Sequence, residues 1–332
     1  MTDEKPISTD PEELAAAVRA GERRALARAI TLIESTRENH RAAAERLLEL
    51  LLPHTGNASR IGISGVPGVG KSTFIEAFGL DWIAAAHKVA VLAVDPSSRR
   101  SGGSILGDKT RMEQLSRTPD AFIRPSPTAG TLGGVARRTR EVMLACEAAG
   151  FDVILIETVG VGQSETAVAE LVDMFVLLLL PGGGDELQGL KRGIMELADL
   201  LVVNKADGDM AASADRSAAE YANAVRLLRP ASADWIPPVL TCSSIETRGI
   251  DAVRETTEAF RSQAEQSGRL AGRRAEQARR WMWGEVDEHL LAAFQSHPAV
   301  REFLESLERQ VSETEITPSA AAQALLEAFR GD

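Results

Sequence analysis

The sequence predicts an α/β fold in which a mostly parallel sheet is covered by helices on both faces, with helical extensions at both ends. Three observations predict it. Between residues 56 and 250, short apolar runs alternate with amphipathic stretches of helical period, the pattern of buried parallel strands joined by helices. The flanking segments, residues 1–55 and 251–332, carry only helical patterns. A glycine-rich turn directly follows the first apolar run.

Composition limits the classes of function. The 332 residues are 44% hydrophobic and 26% charged, as in globular proteins with a full core. The net charge of −11 argues against nucleic acid or an acidic membrane as partner. Cys146 and Cys242 form no CxxC, which predicts a reducing compartment without a disulfide framework. We expect a cytoplasmic protein, because the acidic start resembles no targeting peptide and no apolar run is long enough to span a bilayer.

The N-terminal region, residues 1–55, is predicted to form three helices. Asp10 is predicted to cap the first, because Pro11 suits the first helical position and two glutamates follow it. Amphipathic stretches near residues 22–35 and 38–52 predict the second and third helices.

The central region, residues 56–250, is predicted to contain the sheet. Its predicted strands are Ile61–Ser64, Val89–Val94, Val153–Ile156, Met174–Leu180, Leu200–Val203 and Pro238–Thr241. The carboxyl ends of parallel strands meet at one edge, where ligands bind in such sheets. The C-terminal region, residues 251–332, is predicted to form a long charged helix to about residue 296 and two shorter helices after it.

The turn after the first predicted strand carries the P-loop pattern G-x-x-x-x-G-K-S, then Thr73. Its residues are Gly65, Val66, Pro67, Gly68, Val69, Gly70, Lys71 and Ser72. In such a loop, backbone N–H groups at a helix start bind the phosphates of a nucleoside triphosphate. Lys71 is predicted to stabilise charge on the transferring phosphate, and the Ser72 hydroxyl suits Mg²⁺. A chance glycine turn is the alternative, but it does not explain the complete pattern between a strand and a helix.

A second motif predicts which base is bound. Asn204, Lys205 and Asp207 form N-K-x-D after a predicted strand. The Asp207 carboxylate is expected to accept hydrogen bonds from the guanine N1–H and amine, a donor pair that adenine lacks. Lys205 is expected to lie over the base, and Asn204 to tie its loop to the P-loop.

The turn after the next strand is expected to contribute to the same base site. Cys242, Ser243 and Ser244 are predicted to present backbone N–H groups to the base oxygen. The alternative for this segment is an ordinary strand-to-turn transition.

The residues predicted for hydrolysis lie between these motifs. Glu157 and Gly160 stand in E-T-V-G where GTPases usually show D-x-x-G, so Glu157 is expected to hold a Mg²⁺-bound water and the Gly160 amide to contact the γ-phosphate. Asp95, at a strand end, and Asp108, in a glycine-rich segment, are candidates for Mg²⁺ or the attacking water. A helix cap and a solvated loop acid are the respective alternatives. Gln163, three residues after Gly160, lies in the region where some GTPases orient the attacking water.

Together, the segments GVPGVGKST, VDPSS with SGGSILGDKTRM, IETVGVGQSE, PGGGDELQGLKRG and NKAD resemble the MeaB/ArgK GTPases. The resemblance spans nearly the whole chain. It implies a homodimeric GTPase that binds GTP, GDP and Mg²⁺ and associates with adenosylcobalamin-dependent methylmalonyl-CoA mutase. It also implies that this GTPase gates loading of the mutase's cofactor and protects the mutase from inactivation.

The resemblance also assigns residues. It implies that Asp95, Asp108 and Glu157 surround Mg²⁺, and that Pro181–Lys191 is an additional switch. Within it, Lys191 would reach toward the nucleotide or an opposing acid; the alternative is a solvated helix lysine. The C-terminal region would be the dimerisation arm, whose Trp281 and Trp283 either pack in a core or anchor an interface.

Two other classes of function stay open. A metallochaperone GTPase would need clustered ligands, but the five histidines are scattered and neither cysteine has a near partner. A kinase or transport ATPase would also use a P-loop, but N-K-x-D favours GTP, and no phospho-acceptor pocket or membrane contact is recognisable.

Overall fold

The structure, a computed structural model, describes residues 10–35, 37–94, 112–125, 132–158, 164–182, 192–227 and 234–331. The chain forms two compact units, Met1–Arg274 and Ala275–Asp332. This boundary falls inside the region predicted as a C-terminal arm, and whether residues 251–332 act together as one arm stays a prediction.

In the described part of the chain, seven strands form the sheet. They are β1 (Ser59–Gly65), β2 (Val89–Val94), β3 (Ala121–Pro125), β4 (Val153–Thr158), β5 (Met174–Leu179), β6 (Leu200–Val203) and β7 (Val239–Thr241). The helices of the first unit are α1 (Pro11–Arg19), α2 (Arg23–Ile33), α3 (Glu38–Leu51), α4 (Lys71–Ala84), α5 (Glu113–Arg117), α6 (Leu132–Ala148), α7 (Ser164–Ala169), α8 (Arg192–Leu197), α9 (Ala211–Leu227) and α10 (Ile250–Gln266). Helix α11 (Arg269–Ser296) begins in the first unit, and α12 (Pro298–Ser312) and α13 (Pro318–Arg330) belong to the second.

The strands are parallel and lie in the order β3-β2-β4-β1-β5-β6-β7, which confirms the predicted sheet. β1 is central, between β4 and β5, and all residues of these three strands are buried. The sheet therefore has both faces covered. The six predicted strands are present, but the prediction missed β3, because its run of five residues is short and contains Arg124.

The two faces of β1 meet different helices. Ile61 and Ile63 join the core cluster with Phe74 and Phe78 of α4. Gly62 lies between them and faces the other way, because neighbouring strand residues point to opposite faces. A Cβ atom on Gly62 would lie 2.9 Å from Val168 Cγ1, so α7 packs closely against this second face.

The N-terminal helices lie where the sequence predicted them. The Asp10 side chain accepts hydrogen bonds from the N–H groups of Glu12 at 2.9 Å and Glu13 at 3.1 Å, so it caps α1. The prediction of one long helix from residue 251 to about residue 296 is wrong in one respect. It is interrupted at Gly268, whose φ of +72° suits glycine, and becomes α10 and α11.

The amino edge of the sheet carries buried ion pairs. Arg60 Nε donates to Glu147 Oε1 at 2.6 Å, with side chains only 6% and 2% exposed. Arg274 donates to both carboxylate oxygens of Asp173, at 2.8 and 2.6 Å. Since Asp173 immediately precedes β5, this pair fixes the start of α11 to the base of the sheet.

The second unit has a small aromatic cluster. The ring centroid of Phe329 lies 5.3 Å from that of Phe294 and 5.2 Å from that of His297. In contrast, Met282, Trp283, Leu290 and Leu291 of α11 are exposed, as are Phe303 and Leu326. Among the described residues, no helix combines the length and hydrophobicity that crossing a bilayer requires.

Candidate functional site

The P-loop connects β1 to α4 at the carboxyl edge of the sheet. Gly70, the N-cap of α4, has a φ of +89°, in the region that glycine adopts without strain. A Cβ atom on Gly65 would lie 2.6 Å from the Leu178 carbonyl oxygen, so this position has no room for a side chain. The two glycines thus let the backbone turn tightly and aim the N–H groups at the start of α4 into the turn.

Lys71, the first residue of α4, is folded onto the P-loop. Its Nζ donates to the Gly65 carbonyl oxygen at 2.8 Å and, more weakly, to that of Val66 at 3.5 Å. Partial burial lowers the pKa of Lys71, and the negative charges of Glu157 and Glu165 partly offset this by raising it. The ammonium therefore sits beside neutral carbonyls that a phosphate oxygen could replace as its partner.

The next residue, Ser72, faces the end of β4. Its Oγ donates to Glu157 Oε1 at 3.2 Å, and Glu157 is buried. The register of the sheet pairs Glu157 with Ile63, two residues before the P-loop begins. A hydroxyl and a carboxylate brought together in this way are hard oxygen ligands of the kind that Mg²⁺ prefers.

A second contact joins β4 to the end of β1. Thr158 Oγ1 donates to Ser64 Oγ at 2.9 Å, and both residues are fully buried. Consecutive residues of β4, Glu157 and Thr158, thus contact the two sides of the P-loop: the start of α4 and the end of β1.

The loop after β6 contacts the P-loop directly. Asn204 Nδ2 donates to the Val69 carbonyl oxygen at 2.9 Å, and Lys205 Nζ donates to that of Gly68 at 2.7 Å. Lys205 has a φ of +60°, so the loop turns sharply there. These two bonds hold the N-K-x-D segment against the phosphate-binding loop.

The turn after β7 fixes the orientation of Asn204. Its Oδ1 accepts from Ser244 Oγ at 2.7 Å, from Ser244 N–H at 3.2 Å and from Cys242 Sγ at 3.5 Å. Burial raises the pKa of Cys242 to about 12, so the thiol stays protonated and acts as a donor. With Oδ1 saturated in this way, Nδ2 is left to face the P-loop.

Asp207 is held in place from the same turn. Ser243 Oγ donates to Asp207 Oδ2 at 2.6 Å, and Ser243 N–H forms a bridge to the Arg248 carbonyl at 2.9 Å. Arg248, which the sequence interpretation did not single out, donates through its guanidinium to the Ala206 carbonyl oxygen. The carboxylate thus has one oxygen anchored by a hydroxyl, an arrangement suited to accepting a base edge.

Several predicted site residues lie outside the described residues. These are Asp95, Asp108, Gly160, Gln163 and Lys191. Within the described ranges, no group of three or more His, Cys, Asp or Glu side chains is arranged to hold a metal ion. The structure thus brings together the predicted P-loop, Glu157 and base-loop residues, while the roles of the other five stay predictions.

The sequence interpretation missed one acidic residue near Lys71. Glu165, in the first turn of α7, is buried, and its charge raises the pKa of Lys71. A signal for it was present: Glu165 precedes the apolar Val168 by three residues, so the two share one face of α7.

The sequence of this chain is similar to a known protein family and to individual known proteins. The family model of the methylmalonyl-CoA mutase-associated GTPase MeaB matches residues 26–299. A protein of Caulobacter vibrioides is 61% identical over 310 residues, covering 93% of this chain and 95% of that protein. The mouse mitochondrial protein named methylmalonic aciduria type A homolog is 51% identical over 320 residues, covering 93% of this chain and 77% of that protein.

A solved structure is similar to this chain over nearly its full length. It is titled as the crystal structure of an LAO/AO transport system kinase and is 38% identical in sequence, with a TM-score of 0.78. The match covers 98% of this chain and 100% of that one.

Proposed function

The chain belongs to the MeaB family of methylmalonyl-CoA mutase-associated GTPases, and we propose that it is the GTP-hydrolysing chaperone of an adenosylcobalamin-dependent methylmalonyl-CoA mutase. The observation that carries the proposal is the family match over residues 26–299, which includes every described residue of the P-loop and of both base loops. The chain is a GTP hydrolase. In the proposed role, its nucleotide state gates cofactor loading and protects the mutase.

Within that role, each described site residue has a proposed task. The P-loop N–H groups would bind the phosphates, and Lys71 would leave the Gly65 carbonyl to neutralise charge on the β- and γ-phosphates. Asp207 would accept the guanine edge while Ser243 holds its second oxygen. Asn204 would keep the base loop and the P-loop at a fixed separation.

Mg²⁺ is proposed as the metal of this site. Ser72 and Glu157 fit it, because their oxygens lie 3.2 Å apart beside the P-loop. Ser72 would ligate the ion directly and Glu157 would act through a bound water. When bound, the ion neutralises charge on the β- and γ-phosphates. Asp95 and Asp108 remain proposed members of the same set.

Gating requires that nucleotide and mutase affect each other's binding. By linkage, a partner that changes GTP affinity must have its own affinity changed by GTP in the same proportion. No arginine finger is recognisable in the P-loop segment, so we expect slow hydrolysis by the isolated chain and faster hydrolysis with the mutase. Lys191 is proposed to move into place when the mutase docks.

The proposal is tested with purified chain and an adenosylcobalamin-dependent methylmalonyl-CoA mutase. GTP turnover is measured with and without saturating mutase, and cofactor transfer from an adenosyltransferase is measured with GDP and with a nonhydrolysable GTP analogue. Asp207→Asn, which should accept xanthine nucleotides, is the control. If this chain does the gating, the variant should make cofactor transfer respond to xanthosine triphosphate. The proposal would be contradicted if GTP turnover does not change when the mutase is added. It would also be contradicted if cofactor transfer is the same with GDP and with the GTP analogue.

We also propose a homodimer built by the second unit. Its support is the exposed apolar surface of α11, which includes Met282, Trp283, Leu290 and Leu291. A stable dimer usually buries about 1,200 Å² or more, and aromatic side chains often anchor such interfaces. The test is sedimentation of Leu290→Asp beside Leu52→Asp, because Leu290 is 58% exposed and Leu52, in the first unit, is 57% exposed. Only Leu290→Asp should sediment as a monomer; two dimeric variants would contradict this interface.

A further inference from the structure

Arg248 is an exposed arginine that binds the backbone of the loop proposed to read the base. Its guanidinium donates to the carbonyl oxygen of Ala206, a residue 42 positions earlier in the chain. Ala206 is the third residue of N-K-x-D and lies between Lys205 and Asp207. None of the tasks proposed for the site involves Arg248, so its bond to this loop calls for an explanation.

The turn after β7 binds both polar backbone groups of Ala206. The Ala206 N–H donates to the Cys242 carbonyl oxygen at 2.9 Å, and the Ala206 carbonyl accepts from Arg248. Ala206 is only 5% exposed, so water has little access to it. The Ala206 carbonyl belongs to the rigid peptide unit that leads into Asp207. Arg248 therefore fixes the plane of that peptide and the direction in which the Asp207 side chain leaves the backbone.

The turn that carries Arg248 has a defined backbone shape. Ser243 and Arg248 form an antiparallel bridge, in which the Ser243 N–H donates to the Arg248 carbonyl oxygen at 2.9 Å. On either side of Arg248, Thr247 and Gly249 have φ angles of +56° and +74°. A Cβ atom on Gly249 would lie 2.6 Å from the Thr241 carbonyl oxygen, so only glycine fits there. This backbone holds Arg248 beside the base loop.

The same turn holds the side chain of Asp207. Ser243 Oγ donates to Asp207 Oδ2 at 2.6 Å and accepts from the Glu246 N–H at 3.1 Å. The Glu246 carboxylate lies 3.6 Å from Nη1 of Arg248, which connects the two ends of the turn. The start of the turn thus fixes the carboxylate of Asp207, and its end fixes the peptide that precedes Asp207.

Reading guanine needs both of these anchors. The N1–H and the exocyclic amine point in parallel from one edge of the base, so the carboxylate that accepts from both must lie in the plane of that edge. A carboxylate held only through Oδ2 can still turn about that oxygen. A second anchor, at the peptide before Asp207, removes this freedom and keeps the other oxygen in line with the amine.

We propose that Arg248 is a positioning residue for Asp207, and that guanine specificity therefore depends on a residue outside N-K-x-D. Arg248 acts through the Ala206 carbonyl, so its contribution belongs to base discrimination and not to phosphate binding. The inference rests on the proposed base-reading role of Asp207 and is independent of the partner protein.

The test compares the affinities of the full chain for GDP and for inosine diphosphate, which lacks the exocyclic amine and is otherwise identical. The ratio of the two dissociation constants isolates the amine contact, because the phosphate, ribose and Mg²⁺ contributions cancel. In the original protein, GDP should bind about 10- to 100-fold more tightly. Arg248→Ala should lower that ratio by about three- to tenfold, because the acceptor is no longer aligned.

Two outcomes separate this inference from the proposal on which it rests. A ratio near one in the original protein would refute the base-reading role of Asp207 itself. A large ratio that survives in Arg248→Ala would leave that role intact and overturn the inference. Weakening of both nucleotides in the same proportion would also overturn it, since that result indicates only a structural role for the turn.

Matched variants control for the loss of an arginine. Arg23 is also exposed and donates to a backbone carbonyl, that of Pro119, at 2.7 Å, so Arg23→Ala removes the same kind of bond in the N-terminal region. It should leave the ratio within about twofold of the original. Arg248→Lys keeps a donor for the Ala206 carbonyl and should retain more discrimination than Arg248→Ala.

A double variant separates positioning from direct contact with the base. Asp207→Ala removes the acceptor that Arg248 is proposed to align. Adding Arg248→Ala to Asp207→Ala should therefore change the ratio by less than about twofold. A further fall as large as that caused by Arg248→Ala alone would show that the arginine acts on the base itself, and would exclude its role through Asp207.

Discussion

Arginines at the amino edge of the sheet are paired with buried carboxylates, whereas lysines at the carboxyl edge donate to neutral carbonyl oxygens. Arg60 holds Glu147, and Arg274 holds both oxygens of Asp173. Each of these charges has an opposite charge as its partner. Removing one member would leave the other buried and uncompensated, so this edge is arranged for stability.

The carboxyl edge is arranged for exchange. Lys71 and Lys205 donate to the carbonyl oxygens of Gly65 and Gly68, and Asp207 accepts from the Ser243 hydroxyl. Neutral partners are weaker competitors than counter-ions, so phosphate and base groups can replace or join them at small cost. The difference shows that the same sheet stabilises itself at one edge and keeps charge available for a ligand at the other.

The largest effect that the comparison predicts is at the amino edge. Arg60→Ala leaves the Glu147 carboxylate buried without its cation, so the free energy of unfolding should fall by about 3–5 kcal/mol. Denaturant unfolding measures this. Arg41→Ala, which breaks an exposed pair with Glu45, should cost less than about 1 kcal/mol. The folded fraction of Arg60→Ala should bind GTP normally; a stable variant with weakened GTP binding would reverse the roles of the two edges.

The corresponding change at the carboxyl edge should affect turnover. Lys71→Ala removes the cation that stabilises charge on the transferring phosphate, and hydrolysis should fall by about 10²–10³-fold. Calorimetry should show GTP binding weakened more than GDP binding. Lys88→Ala, at an exposed lysine before the amino end of β2, should leave both unchanged. Normal turnover in Lys71→Ala would show that this edge does not use its lysine for catalysis.

Base recognition sharpens the comparison. Asp207→Asn exchanges a carboxylate acceptor for an amide, which matches xanthine better than guanine, and GTP affinity should fall by about 10²-fold. Competition of GTP, XTP and ATP against a labelled guanine nucleotide measures the preference. Asp209→Asn, two residues away and exposed, is the matched control. Equal competition by ATP and GTP in the original protein would remove the base-reading role altogether.

The sequence predicted the carboxyl edge better than the amino edge, for a physical reason. The P-loop and N-K-x-D are continuous segments whose chemistry depends on fixed spacing, and the buried strands are apolar throughout, so both are visible locally. The pair of Arg60 with Glu147 joins residues that are 87 positions apart, and only the folded sheet brings them together. β3 was missed because an edge strand needs less apolar sequence, and Arg124 breaks the pattern.

The burial of Glu165 was missed for a related reason. Its spacing to Val168 is visible in the sequence, but its burial depends on how closely α7 approaches the sheet at Gly62. The break between α10 and α11 likewise depends on the left-handed conformation of Gly268, which helical periodicity does not reveal.

The smallest predicted effect concerns the hydroxyl pair that joins the strands beneath the P-loop. Thr158→Val keeps the shape but removes the donor to Ser64, so stability should fall by about 1 kcal/mol. Thr257→Val is the matched control, because Thr257 is also buried and donates to the Val253 carbonyl within α10. Both variants should lose comparable stability in denaturant unfolding, but only Thr158→Val should slow GTP hydrolysis, by a few-fold, because Thr158 adjoins Glu157 and fixes its strand to the P-loop. If the two variants hydrolyse GTP equally well, the hydroxyl pair contributes to stability alone. The carboxyl edge would then contain a purely stabilising contact, like those of the amino edge.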